Sequence, residues 1–156
     1  MHSRPDATST LTEAQVCEIN GVSQQYRQTL VRRKLVRRAP VGGCTIRDAL
    51  ELAAITALSD VLPAGDLPLA VQQLSSLLGG MVPGERVDAV YDRQYKRLDV
   101  ARDDAALRGM VVHGRPVSVV PLADRLSEVG DAFGRIVGLR GAGRRPGAGR
   151  RKRGAA

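Results

Sequence analysis

Residues 19–40 read INGVSQQYRQTLVRRKLVRRAP, and this stretch decides how the chain is understood. It has the spacing of an amphipathic helix flanked by turns, and it carries Arg27, Arg32, Arg33, Lys34, Arg37 and Arg38 without one acid. Surface helices ordinarily mix both signs, because like charges one turn apart repel. A helix that gives up this compensation points to an anionic partner outside the molecule.

The surrounding charge supports that reading. The 156 residues carry a formal +8, but the excess is segregated. Residues 1–18 hold three acids and one Arg, and residues 19–47 hold seven bases and no acid. The middle, 48–138, is mildly acidic, and residues 139–156 add seven bases. Two basic blocks around an acidic middle suit nucleic acid. Aromatic residues make up 3% of the chain and Trp is absent, which argues against aromatic ligand cages and base-stacking platforms.

Upstream of the basic helix, LTEAQVCEI carries a full helix-start signal. Thr12 is the expected N-cap, Gln15 its capping-box partner, and Leu11 and Val16 a hydrophobic staple. Val16 and Ile19 face inward, and Asn20-Gly21 ends the helix where a left-handed backbone is tolerated. Ser23 then caps the second helix. Tyr26, Thr29 and Leu30 fall on its inner side, Gln24, Gln28 and Val31 on the opposite side, and Gln25, Arg27 and Arg32 on the flanks. Two short helices joined by Gly-Val-Ser form the helix-turn-helix pattern.

Downstream, LVRRAPVGGCTI predicts a small β-hairpin or wing about Pro40–Gly43. Thr45 and Asp48 form a second capping box, opening a helix with an apolar stripe of Leu50, Ala54, Ala57, Leu58 and Val61. Pro63-Ala64-Gly65 ends it, DLPLAVQQLSSLL forms another helix, and GGMVPG reads as a linker. VDAVYD and YKRLDVA then predict a hairpin about Asp92-Arg93-Gln94, followed by a helix from Asp103, a strand in RPVSVVPL and a closing helix. Leu126, Val129, Phe133 and Ile136 share one side of that last helix.

The expected fold class is mainly α with a small α+β C-terminal unit: a winged helix-turn-helix plus a ββαβα module. The expected organisation is a disordered N-terminus at 1–10, a helix-turn-helix domain at 11–78 and a linker at 79–86. A small α+β domain at 87–137 and a disordered basic tail at 138–156 complete it.

The ordered set of GVSQQYRQTLVRRKLV, a short wing and CTIRDALELAAITAL resembles the N-terminal DNA-binding domain of MerR-type regulators and their excisionase-like relatives. The resemblance covers about residues 11–78. It implies a winged helix-turn-helix that binds double-stranded DNA as a homodimer on an inverted repeat. The cysteines of metal-sensing members lie beyond that domain, where this chain has none, so no metal or cofactor is implied.

On this reading Gln24, Gln25 and Gln28 read bases, since a Gln amide bonds an adenine in bidentate fashion. Arg27, Arg32, Arg37 and Arg38 hold phosphates, Arg33 projects nearer the packed side, and Ser23 sits at the helix start against the DNA. Tyr26 belongs to the core.

Catalysis is not expected. Asp103-Asp104 reads as a helix N-terminus, His113 as a helix-end residue, and no nucleophile stands beside a recognisable base. Cys17 and Cys44 form no C-x-x-C, and with only His2 and His113 no four-ligand zinc site is visible. They read as reduced thiols of a cytoplasmic protein, with neither a signal-peptide core nor a membrane-spanning apolar run.

The expected function is a sequence-specific transcriptional regulator whose C-terminal unit supplies dimerisation or takes a protein or small-molecule effector. The alternatives are an architectural, excisionase-like factor that bends DNA, and an RNA-binding or protein-interaction adaptor.

Overall fold

The computed structural model describes residues 8–78, 85–111, 114 and 116–143. The described chain is a mixed α+β fold with six helices and two small antiparallel sheets. Strand β1 (Thr10–Leu11) leads into α1 (Glu13–Ile19) and α2 (Gln24–Arg32). Strand β2 (Cys44–Thr45), α3 (Ile46–Val61) and α4 (Leu67–Leu78) follow. The C-terminal part runs β3 (Asp88–Asp92), β4 (Arg97–Ala101), α5 (Asp104–Val111), β5 (Val117–Pro121) and α6 (Ala123–Gly143), in the ββαβα order expected.

The helix starts follow from local hydrogen bonding. Thr12 and Thr45 each accept from their N3 amide while Gln15 and Asp48 reach back to the cap backbone, completing both capping boxes. Helix α1 ends in a Schellman motif. Gly21, at φ 65°, donates to Glu18 O, and Val22 donates to Cys17 O.

Three expectations are corrected. The wing is not a hairpin of the segments on either side of Pro40–Gly43. Instead β2 pairs with β1, in the register Thr10↔Thr45 and Leu11↔Cys44. The strand before the turn fails to form because Leu35 is drawn into the core, while the Arg37 carbonyl is taken by a side chain and Pro40 has no N–H to give. Thr10 therefore belongs to a strand, not to a disordered N-terminus, and residues 1–7 lie outside the described residues. Helix α3 is buried nearly all round, with every residue from Leu52 to Leu58 buried, whereas Val61 of the expected stripe is exposed. It is the central helix, contacting α6, α4, β2 and β5, and its Ala53, Ala54 and Ala57 let neighbours approach closely.

The second sheet has the order β4-β3-β5, with β3 in the middle. Ala89 and Tyr91 of β3 turn one face toward the helices, where Leu98 and Val120 from the flanking strands join them. Leu126, Val129 and Phe133 of α6 are buried in the common core, as their shared spacing predicted, and α6 packs chiefly on α3. One hydrophobic cluster includes Leu11, Leu30, Ile55, Tyr91 and Phe133, so both halves of the chain contribute to the same core.

Helix α6 runs on to Gly143, beyond the expected start of the tail at 138. Residues 79–84, His113 and 144–156 lie outside the described residues. No helix among the described residues is long and apolar enough to cross a membrane.

Candidate nucleic-acid interface

Helix α2 is oriented by its two ends. The Ser23 hydroxyl accepts from the Tyr26 amide at 3.0 Å, which fixes the first turn. Leu30 is buried, and the half-buried Tyr26 bonds Ser59 Oγ of α3 at 3.1 Å, so this side is held against the core. Thr29, expected on the inner side, is exposed and turns its hydroxyl onto Gln25 O. The outward surface is Ser23, Gln24, Gln25, Gln28, Thr29 and Arg32, all exposed.

The C-terminus of α2 is a second Schellman motif. Lys34 takes φ 59° and donates to Val31 O, while Leu35 donates to Leu30 O at 2.9 Å. Leu35 is buried, so the chain is pulled inward there and Arg33, Lys34, Arg37 and Arg38 remain outside. Arg33 is thus exposed, not near the packed side. The Arg37 side chain is 76% exposed, with Asp48 at 3.8 Å, too far and too wet to neutralise it.

Arg27 departs from its expected role. It is 3% exposed, and its guanidinium donates to Glu13 Oε1 at 2.6 Å and to Arg37 O at 3.1 Å. It is a strut joining α1, α2 and the basic loop, not a phosphate ligand. Glu13 was invisible to sequence reasoning as its partner, because the two lie 14 positions apart on different helices. The same carboxylate accepts from Gln28 Nε2 at 2.8 Å, so Gln28 is exposed yet held in the unbound protein.

Beside α2 lies an open groove of about 1450 Å³ between the loop 33–39, the first turns of α3 and one side of α4. All seven bases of 19–47 line it, against Glu13 and Glu51 as the acids. Lys34 and Arg47 join the groove in addition to the site residues expected from sequence. Their signal was membership of the acid-free block. Arg47 also reaches across to Ser75 O of α4 at 3.4 Å. Burial pushes the Glu51 carboxyl above its ordinary range, an effect that the Arg37 guanidinium opposes.

At the far edge of the loop, Gly43 N donates to Pro40 O at 3.1 Å and Gly42 has φ 100°, the pattern of a type II turn. Thr10 Oγ1 donates to Gly42 O at 2.9 Å and braces the turn against β1. Val41, at its tip, is fully exposed.

Other candidates have structural roles. Asp103 Oδ1 accepts from Ala106 N at 2.7 Å as a helix cap, and Asp104 pairs with Arg86. Cys17 and Cys44 are buried free thiols, and burial raises both above the usual thiol range. Among the described residues no group of three or more His, Cys, Asp or Glu is placed to hold a metal ion. No known family model matches the sequence, and no curated protein matches it.

Proposed function

We propose that the protein is a sequence-specific, double-stranded-DNA-binding transcriptional regulator of MerR-like type, acting in the cytoplasm. One observation carries this reading: α2 turns a Gln-rich face to solvent, in a stretch without acids, and continues into a loop of exposed bases. A B-DNA major groove admits a helix of this width, and Gln24, Gln25 and Gln28 would meet base edges there. Arg32, Arg33, Lys34, Arg37 and Arg38 would lie against phosphates, which position the helix without reading sequence. Nine residues of helix read only a few base pairs, so a homodimer on an inverted repeat is the form that supplies enough contact. The C-terminal sheet and α6 are the candidate region for dimerisation or for a protein or small-molecule effector.

Selection of bound sites from random duplexes tests the proposal, followed by salt titration on the enriched site. Neutralising about five phosphates gives a slope of log K against log salt of roughly −4 to −5 from the helix and loop. Substituting Gln24, Gln25 and Gln28 by Ala should flatten base preference while leaving that slope intact. No enriched motif and a slope near zero refute the reading.

A second reading, an excisionase-like factor that bends DNA, is favoured by the braced turn with its exposed Val41 tip. Apolar side chains wedged into a minor groove unstack base steps and kink the duplex. A circular-permutation assay in which Val41→Ser abolishes a large bend supports it, and an unbent duplex refutes it.

A further inference from the structure

The two edges of the second sheet are finished differently. On the β4 edge the Leu98 N–H donates to Gln73 Oε1 of α4 at 2.9 Å, and Gln73 Nε2 donates to Lys96 O at 2.9 Å. That strand also carries Arg97 and Asp99, charges of the kind that keep an edge from pairing. The β5 edge lacks both devices. Arg93 N donates to Pro116 O and Leu122 N to Val87 O, each at 2.9 Å, so Pro116 and Leu122 turn their backbone toward β3. Alternation along the antiparallel ladder turns Ser118 and Val120 the same way, and Val117, Val119 and Pro121 away from it. Among the described residues no strand or side chain takes those outward groups. The stretch PVSVVPL, 116–122, holds no charge, and Val119 is 37% exposed. Pro121, which has no N–H, blunts only the last position. An uncharged, β-prone edge left open is a template for another strand.

We propose that this edge pairs with the β5 of a second copy, antiparallel about a two-fold axis, joining two three-stranded sheets into one. The proposal rests on the reading above only for the need for a homodimer, since the pairing itself requires no DNA. A two-fold contact needs a self-complementary patch, and this edge is one. Full overlap of two five-residue strands centres the pair on Val119, which exchanges both backbone bonds with its counterpart. The Val117 N–H meets the Pro121 carbonyl at each end, where the missing proline N–H costs only a rim bond. About four interchain hydrogen bonds result. Charge permits the approach: residues 87–137 hold eight bases and eight acids, so the excess of +8 lies elsewhere in the chain. Helix α6 leads away from β5 to Arg140, which bonds Thr10 O and Gln15 Oε1. At 1.5 Å per residue, Ala123 to Arg140 spans about 25 Å, and the pairing leaves the outward face of α2 uncovered. The contact is smaller than a standard interface. Self-association on the order of micromolar is expected, tightening when adjacent half-sites hold both copies.

The test uses the full chain without DNA. Sedimentation across a concentration series should show a reversible monomer–dimer equilibrium. Amide exchange read by NMR should slow at Val117 and Val119 as the dimer fills, while Ser118 is protected throughout. Val119→Lys sets like charges face to face and should raise the dissociation constant at least about tenfold, with the circular dichroism of the parent. Should V119K fail to fold, V119C takes its place. A short bis-maleimide should join V119C chains and not Y95C chains, since Tyr95 lies exposed on the β3–β4 turn and both native thiols are buried. A chain that stays monomeric at its highest soluble concentration overturns the proposal, whatever other strand the edge accepts. So does a dimer whose Val117 and Val119 amides exchange freely, or one that V119K leaves as tight as the parent. Failure of the α2 reading looks different: a dimer that selects no duplex leaves the pairing standing, and a monomer that enriches an inverted repeat leaves α2 standing.

Discussion

Replacing Arg27 by Ala separates a strut from a phosphate ligand, because the two roles change different observables. The Arg27 side chain is 4% exposed and Glu13 is 26% exposed, with 2.6 Å between them. Removing one partner of a fully buried pair costs about 3–5 kcal/mol. Glu13 keeps partial access to water and still receives Gln28, so about 2–3 kcal/mol is the better expectation here. For a chain of this size each kcal/mol moves the midpoint by about 2–4 °C, which puts the loss at roughly 4–12 °C. Urea unfolding of R27A should show a lower midpoint with an unchanged m value. A double-mutant cycle with E13Q should return a coupling on the order of 1–3 kcal/mol, because the two side chains share one contact. The salt slope of DNA binding should stay within a few tenths of the parent value. If R27A melts within about 1 °C of the parent and loses about one unit of slope instead, Arg27 touches DNA and the strut is wrong.

Four further perturbations test other parts of the structure. Gly43→Ala places a Cβ 2.7 Å from Leu11 O at φ 107°, so a thermal melt should show a loss of about 2–3 kcal/mol. Gly42→Ala, at φ 100° with open space around it, should lose about half as much. Lys34→Gly should stabilise by up to about 1 kcal/mol in urea unfolding, since Lys34 occupies a left-handed C′ position that glycine takes without strain. A clear loss of stability would contradict that assignment. Glu51 is an acid whose folded pKa is raised above 4.5 by burial, further by Asp48, and lowered in part by Arg37 and Arg47. Such a group favours the fold when protonated, and that contribution disappears as pH rises through the folded value. E51Q should therefore match the parent below pH 4.5 and exceed it in urea midpoint at pH 7. A gain confined to acid pH would reverse the sign and refute the account.

The groove shows how packing changes a charge pattern. In sequence, the seven bases of 19–47 look equivalent. In the fold, Arg27 is internal, Arg37 reaches outward near Asp48, and Arg47 crosses to α4. Glu13 is engaged by both Arg27 and Gln28. Glu13 lines the same groove as the exposed cations, but its carboxylate is already engaged by the internal Arg27.

Local chemistry was legible from residue order. Thr12 with Gln15, Thr45 with Asp48, and Asn20-Gly21 fixed where helices begin and end, because each partner lies within one helical turn. The ββαβα order and the inward side of α6 followed from periodicity for the same reason. What only the tertiary structure decided depends on partners far apart in the chain. Glu13 neutralises Arg27 from another helix, β1 captures β2 in place of the residues preceding the turn, and α3 is enclosed by elements on several sides. Periodicity reports which side of an element is apolar. It carries no information about which distant charge will be brought within hydrogen-bonding distance, and burial of Arg27 beside Glu13 is set by that encounter alone.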